Sequence, residues 1–273
     1  MYNDNLVVDS YLLYVNNLAL MTKYYTHNIG LNLLEKGQHQ TILGIDNHPL
    51  LILKETNPQT KRKATGLYHT AFLVPSAADL GGVLLHLLNT NTALIGGANH
   101  GYSEALYLQD PEDNGIEIYH DNPVEVWDVR TDGQIIGITE ELDATRLIEN
   151  AKITSKMPSG TKIGHIHLQV NSLANNLAFY QDILGFDLKS NLANSAYFLA
   201  DGLYHHHIAT NIWAGENLPL RKDSELGLGY YTLKKNNLDV IKENLQKAKI
   251  TFKDYGHRIQ TLDPNGIKLL IEE

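Results

Sequence analysis

Histidines are the side chains of this sequence best suited to chemistry, and several occupy alternating positions. The chain has 13 histidines and no cysteine, so a bound metal must be held by imidazole and carboxylate groups. In one stretch the apolar residues Ile166, Leu168 and Val170 alternate with polar ones, which predicts a strand whose apolar face packs against a helix. His165 and His167 then project from the opposite, inward face, where two imidazoles could bind a metal or transfer protons.

Three consecutive histidines lie in the stretch Tyr204–Trp213. Its alternation, with Ile208 on the packing side, predicts a strand with His205 and His207 on the inward face. Because consecutive strand residues point to opposite faces, either this pair or His206 alone can contribute to a site. We expect the pair to face inward.

The first half of the chain adds another imidazole and a carboxylate. His69 faces inward in a stretch where Phe72 packs, and Glu117 and Tyr119 face inward in a run where Ile116 packs. Two imidazoles and one carboxylate on one face form a facial triad suited to Fe(II) oxygen chemistry, and Mn(II), Co(II) or Zn(II) would also fit. A substrate with two adjacent oxygens could chelate such an ion.

The composition argues against several other functions. The formal charge of −9 leaves no basic surface for nucleic acid or an anionic membrane. No run approaches the ~18–20 apolar residues of a membrane span, and Met1–Val8 lacks the features of a signal peptide, so we expect a cytoplasmic protein. Nucleophilic catalysis lacks a cysteine and a G-x-S-x-G motif, and no glycine pattern matches a phosphate-binding loop.

An internal repeat indicates which elements position these residues. The pattern Tyr25–Gly30 returns as Tyr180–Gly185, and each half of the chain ends on an Asp-Pro…Asn-Gly turn, which begins at Asp110 and at Asp263. The hydrophobic periodicity predicts the order strand, helix and three strands, repeated four times. The four modules are placed at about 6–55, 66–122, 162–216 and 226–273.

This pattern predicts an α+β protein with two domains. Residues 1–122 would hold the first two modules and residues 162–273 the last two. Residues 123–161, with several turn signals and a short helical patch at Asp143–Asn150, are expected to form a linker.

Several stretches together carry a resemblance to a known family. They are Gly164–Val170, the pattern Ala178-Phe179-Tyr180…Gly185-Phe186, and the run Asp-Pro-x-x-Asn-Gly-Ile-Glu-Ile-Tyr at 110–119. These stretches resemble the vicinal oxygen chelate superfamily, which includes glyoxalase I, bleomycin-resistance proteins and type I extradiol dioxygenases. A closer resemblance, to Bacillus-type catechol 2,3-dioxygenases, rests on Gly66–His69, Ser103–Leu108, Tyr204–Ile208 and Asn211–Gly215.

The resemblance implies βαβββ modules that pair into two eight-stranded, cup-shaped sheets flanked by helices, with a divalent metal inside. The family's ligand positions fall on His69, Glu117, His165 and His207. In the first and fourth modules they fall on Ser10, Ile52, Tyr230 and Leu270, which are not ligands of this kind. Either modules two and three share one cup and complete one site, or each half of the chain holds an incomplete site.

The expected function is therefore an extradiol ring-cleaving dioxygenase that acts on a catechol and O2, with Fe(II) as the expected metal. His205 and His167 are the expected acid–base residues, and Tyr119 is expected to hydrogen-bond the substrate. One alternative is a glyoxalase-like lyase or isomerase, because the fold serves both chemistries. Another is a binding protein of the bleomycin-resistance type without metal. A homo-oligomer is compatible with the sequence.

Overall fold

The chain folds into four consecutive modules, as a computed structural model of residues 6–57 and 60–273 shows. Most of Met1–Val8 lies outside the described residues, and Leu6–Val8 begins the first strand. Each module has the order strand, helix and three strands, which confirms the predicted α+β fold. Among the described residues no helix has the length and apolar character needed to cross a membrane.

The first two modules follow the predicted periodicity closely. The first comprises β1 (Leu6–Val15), α1 (Leu18–Lys23) extended by a π-helical turn (Tyr24–Asn28), β2 (Asn32–Lys36), β3 (Gln40–Ile45) and β4 (His48–Glu55). The second comprises β5 (Gly66–Leu73), α2 (Ala77–Asn89), β6 (Leu94–Asn99), β7 (Ser103–Gln109) and β8 (Gly115–Asp121). Polar caps start the helices: the side chain of Asn17 accepts from Leu20 N at 2.9 Å, and that of Ser76 from Asp79 N at 3.2 Å.

The connection between the two halves has more structure than a linker with one helix. It contains a 3₁₀ turn (Val124–Val126), β9 (Asp128–Val129), β10 (Ile135–Ile136), β11 (Glu140–Glu141) and α3 (Ala144–Glu149). Strand β11 pairs antiparallel with β6, and α3 packs so closely on α2 that a Cβ at Gly81 would lie 2.1 Å from Leu147 O. The connection is thus part of the second module's surface.

The last two modules repeat the first two. The third comprises β12 (Lys162–Gln169), α4 (Leu173–Ala178) extended by a π-helical turn (Phe179–Ile183), β13 (Asp187–Leu192), β14 (Ala196–Ala200) and β15 (Ile208–Asn211). The fourth comprises β16 (Gly227–Lys235), α5 (Leu238–Lys247), β17 (Phe252–Asp254), β18 (Arg258–Leu262) and β19 (Lys268–Glu272). The predicted strand Tyr204–Trp213 is therefore wrong at both ends, since only Ile208–Asn211 is strand.

Pairing of the first strands decides which modules share a cup. Strand β5 runs antiparallel to β12, so modules two and three form one cup, called cup A here. Strand β1 runs antiparallel to β16, so modules one and four form the other, called cup B. The sequence left two arrangements open, and the structure has the one in which modules two and three share a cup. Each half of the chain contributes one module to each cup. The division of the chain into domains 1–122 and 162–273 stays a prediction.

The helices cover the outer faces of the cups and bury one continuous apolar core. Tyr11, Phe72, Ile166 and Tyr231 belong to it and have no exposed surface. Each comes from a first strand of a module, at a position that alternates with residues facing the cup. The apolar face is thus used for packing, and the opposite face is free to carry polar groups.

Candidate metal centre

Three neighbouring strands bring His69, Glu117 and His165 together inside cup A. Glu117 on β8 lies opposite Ala71 on β5, and Ala71 lies opposite His165 on β12, so these residues form a row across the sheet. His69 precedes Ala71 by two residues and therefore points to the same face. Ala71 is fully buried, and its single methyl group leaves room for the longer side chains on either side.

The ligand atoms of these three side chains converge on one point. Glu117 Oε2 lies 2.9 Å from His69 Nε2 and 3.3 Å from His165 Nε2. The two Nε2 atoms are 3.3 Å apart. Two ligands ~2.1 Å from one ion and at right angles to each other would be about 3 Å apart. The residues present therefore fit a divalent metal held by two imidazoles and one carboxylate.

Burial and mutual contact set the charge of this cluster. Burial opposes ionisation of Glu117, but the neighbouring His165 and His69 outweigh it and hold the pKa of the carboxyl well below its usual range. Burial lowers the pKa of His165 to about 4, although Glu117 acts in the opposite direction. At neutral pH the cluster thus offers a carboxylate and an unprotonated His165, the state in which these groups bind a cation.

The cluster lies in a cavity of about 190 Å³ with an aromatic and apolar rim. Four of its lining residues are large apolar side chains that are 42–51 % exposed, namely Tyr68, Ile138, Leu192 and Trp213. Ile138 belongs to the connection between the halves, so this segment forms part of the wall. In the described part of the chain no lysine or arginine lines the cavity.

His167 lines this cavity, in keeping with its predicted inward position. Its Nε2 atom is 3.0 Å from Asn211 Nδ2, and its ring centroid is 4.9 Å from that of His69. Burial keeps the pKa of His167 well below its usual value. The acid–base role expected for His167 stays a prediction.

The structure does not bring the other three predicted residues into the cavity. His207 lies against Asp201, whose backbone N–H donates to His207 Nδ1 at 3.4 Å, and the structure places it outside the cluster of His69, Glu117 and His165. His205 is turned toward Asp121, with Nε2 2.9 Å from Oδ1. Tyr119 passes under Gly164, its hydroxyl is 2.6 Å from that of Tyr204, and it does not line the cavity.

The local backbone explains the misplaced histidines. Residues 201–207 form turns and bends rather than strand, and β15 begins only at Ile208. Strand alternation therefore does not apply to the three consecutive histidines. As a result His206, and not His207, lines the cavity, with its ring centroid 4.1 Å from that of His165.

Two further cavity residues were not among the predicted ones. Tyr107 on β7 lies directly opposite Glu117 on β8. Its alternation with the apolar Leu106 and Leu108 is a signal that could have identified it. His100 follows β6 and had no such signal; its Nε2 atom lies 2.6 Å from the Tyr107 hydroxyl, and its Nδ1 atom lies 2.8 Å from the backbone oxygen of Ile138.

Cup B repeats the register of cup A without the ligands. Ser10 lies opposite Thr232, and Thr232 lies opposite Leu270, which is the same row across three strands. Tyr230 precedes Thr232 by two residues, where cup A has His69. Within residues 6–57 and 60–273, the only convergent group of three such ligand residues is the one in cup A.

Sequence comparison assigns the chain to a family. The model described as Glyoxalase/Bleomycin resistance protein/Dioxygenase superfamily matches residues 7–118 and 162–269. The chain belongs to this superfamily. A catechol-2,3-dioxygenase of Bacillus subtilis (strain 168) is 38% identical to this superfamily member over 260 residues, covering 92% of this chain and 91% of that protein. Biphenyl-2,3-diol 1,2-dioxygenase 3 of Rhodococcus globerulus is 27% identical over 117 residues, 41% of this chain and 62% of that protein.

Solved structures of the superfamily fold extend the comparison to nearly the whole chain. Glyoxalase I from Zea mays superimposes with a TM-score of 0.58 at 13% identity, covering 98% of this chain and 92% of that one. The cppA protein from Streptococcus pneumoniae TIGR4 gives a TM-score of 0.57 at 13% identity, covering 98% and 97%. These likenesses show the fold of the four modules.

Proposed function

We propose that this protein is an extradiol, catechol 2,3-dioxygenase that opens the ring of a catechol and incorporates both atoms of O2. The observation that carries the proposal is the buried cluster of His69, Glu117 and His165 in the aromatic-rimmed cavity. The full-length similarity to a catechol-2,3-dioxygenase supports it. Because one fold serves many chemistries, the ligand set and the cavity weigh more than the fold does.

The three clustered residues would hold the metal, and Fe(II) is the ion that we propose, with Mn, Co or Zn as alternatives. A bound divalent ion would supply positive charge that eases deprotonation of a catechol hydroxyl. The two-histidine, one-carboxylate set leaves coordination positions open, as oxygen-using Fe(II) enzymes require.

The cavity walls provide what a planar aromatic substrate needs. The rings of Tyr68 and Trp213 meet edge to face with centroids 5.1 Å apart, and both contact His167. Together with Phe198, 5.9 Å from His167, they form an apolar slot that would orient the substrate ring and exclude water. His206 also lines the cavity, and its imidazole could accept a hydroxyl proton, whereas Nε2 of His167 already accepts from Asn211 Nδ2.

The cavity chemistry favours catechols whose ring substituents carry no charge. No lysine or arginine of the described chain lines it, and the fixed carboxylate of Glu117 repels a second carboxylate. Burying an unpaired carboxylate is costly, whereas the rim of Leu192, Ile138 and Trp213 offers apolar contact. We therefore expect catechol and alkyl- or aryl-substituted catechols to be better substrates than catechols bearing a carboxyl group.

Metal analysis and oxygen uptake test this function. Anaerobically purified protein should contain close to one ion of iron or manganese per chain, and Fe(II)-loaded protein should consume O2 in step with loss of catechol. The His165→Gln variant should lose both properties, whereas His207→Gln should keep both because its side chain lies outside the cluster.

Two results would favour the other functions. A bound metal without catechol-dependent O2 uptake would point to a glyoxalase-like lyase or isomerase. Protein that binds aromatic ligands but no metal would point to a binding protein of the bleomycin-resistance type. The expected cytoplasmic location and a homo-oligomeric state stay predictions.

A further inference from the structure

A hydrogen-bonded chain of three side chains leads from the cavity to Asp121, at the end of β8. His206 lines the cavity, and its Nδ1 atom lies 2.7 Å from Nδ1 of His205. His205 Nε2 in turn lies 2.9 Å from Asp121 Oδ1. His205 and His206 are nearly inaccessible to solvent, and Asp121 lies outside the cavity lining.

The proton positions along this chain follow from the hydrogen-bonding groups. An ionised carboxylate can only accept, so the proton of a neutral His205 ring must be on Nε2, facing Asp121. Its Nδ1 atom is then an acceptor, and His206 must carry its proton on Nδ1 to donate to it. The Nε2 atom of His206 is left unprotonated.

The packing around His205 holds this arrangement in place. Its ring stacks on Tyr102, with centroids 4.4 Å apart and planes 20° apart, and packs at a tilt against Tyr204, with centroids 4.0 Å apart. The Tyr204 hydroxyl donates to Asp121 Oδ1 at 3.3 Å and so orients the carboxylate. His205 therefore cannot turn to offer its other nitrogen to Asp121 without breaking two ring contacts.

We infer that Asp121 is a positioning residue that acts through His205 to fix the tautomer of His206, so that the unprotonated Nε2 of His206 faces the cavity. The inference rests on the proposed function, because such a nitrogen can accept the hydroxyl proton of a bound catechol. Neither Asp121 nor His205 touches the substrate. Their effect is on the state of His206 before substrate arrives, which is the part that an outer carboxylate plays for many catalytic histidines.

The tautomer can be read directly by ¹⁵N–¹H spectroscopy of the histidine side chains in metal-free protein at mildly alkaline pH. In the wild type, His206 should carry its proton on Nδ1. In Asp121→Leu no acceptor faces His205 Nε2, so the His205 proton is released to Nδ1 and that of His206 to Nε2. A wild-type His206 protonated on Nε2, or a variant with unchanged tautomers, would overturn the inference.

Kinetics of the Fe(II)-loaded enzyme give a second readout. Asp121→Asn should lower kcat about 10–100-fold, the usual cost of losing such an outer partner, with KM for catechol nearly unchanged because Asp121 lies outside the cavity. Asp201→Asn is the matched control. The Asp201 carboxylate lies beside the same turn but pairs with Lys235 rather than with a histidine, so its removal should leave kcat unchanged. Equal loss in both variants would overturn the inference.

The two measurements separate this inference from the proposed function. If the loaded enzyme cleaves no catechol, the proposed function fails, and the tautomer spectra still decide the role of Asp121. If the Asp121 variants do not fold, Tyr204→Phe is used instead; it keeps the Asp121 carboxylate and removes one hydrogen bond to it. The tautomer of His206 should then stay on Nδ1, and a shift to Nε2 would contradict the assignment.

Discussion

Replacing one ligand in either half of the chain should empty the same metal site. His69 and His165 are 96 residues apart in sequence, yet their Nε2 atoms are 3.3 Å apart. The variants His69→Gln and His165→Gln each leave one imidazole and Glu117, while the new amide can still donate to the carboxylate. Both should therefore weaken the binding of one and the same ion.

The size of the effect follows from the number of ligands. Losing one of three should weaken binding by at least ~100-fold, because changes outside the ligand set already cost ~10–100-fold. Free metal at about 100 times the wild-type Kd stabilises the wild type by ~2.7 kcal/mol and such a variant by ~0.4 kcal/mol. The difference of ~2.3 kcal/mol corresponds to a metal-induced rise in Tm that is ~5–9 °C smaller in the variants.

The assay is thermal unfolding with and without added Mn(II), together with metal analysis of each purified protein. His207→Gln serves as the control, and it should show the full metal-induced rise in Tm. Two ligand variants that both keep the wild-type rise, or a His207→Gln variant that loses it, would refute the shared site.

Three further outcomes depend on other residues. Ala71→Leu fills the space between Glu117 and its partners; it should lower metal content and cost about 1–3 kcal/mol of unfolding free energy, and an unchanged metal content would contradict the packing. Leu192→Arg adds a cation at the rim, so the kcat/KM of a carboxylated catechol relative to catechol should rise roughly 2–5-fold; no rise would count against the rim as the selective element. Burial raises the pKa of Asp263 from 3.8 to about 6, so the folded state binds this proton more tightly than the unfolded state. This residue should therefore lower stability as pH rises from about 4 to 6, by on the order of 3 kcal/mol, and urea unfolding should show that Asp263→Asn lacks this dependence.

Regular strands made much of the site predictable from sequence. In Lys162–Gln169 and Gly115–Asp121 the alternation of apolar and polar residues matches the observed faces, so His165, His167 and Glu117 point inward as expected. The same reasoning failed between Asp201 and His207, because alternation carries information only where the backbone is extended. The Asp-Gly pair at 201–202 predicts a turn. The length of that turn decides which histidine faces the cavity, and the local sequence does not determine this length.

Module pairing could not be read from sequence, for a different reason. The first strands of the four modules share the same alternating pattern. The pattern alone would therefore allow β5 to pair with β1 or with β12. The choice depends on contacts between residues about 100 positions apart, such as His69 opposite His167, which no local pattern encodes. Whether the set of metal ligands is complete could therefore be decided only once the pairing of the modules was known.

The matching registers of the two cups bear on the origin of the chain. If modules one and two descend from the same ancestor as modules three and four, two copies of that half-length ancestor would pair with twofold symmetry into two identical cups. Each cup would then take one imidazole from one copy and an imidazole and a carboxylate from the other. Fusion of the copies would then have made one site dispensable, which agrees with Ser10, Tyr230 and Leu270 at the three equivalent positions of cup B. Substituting these residues by His, His and Glu would place the ligand set of cup A in cup B, so on this view the single chain has the framework of a two-metal homodimer.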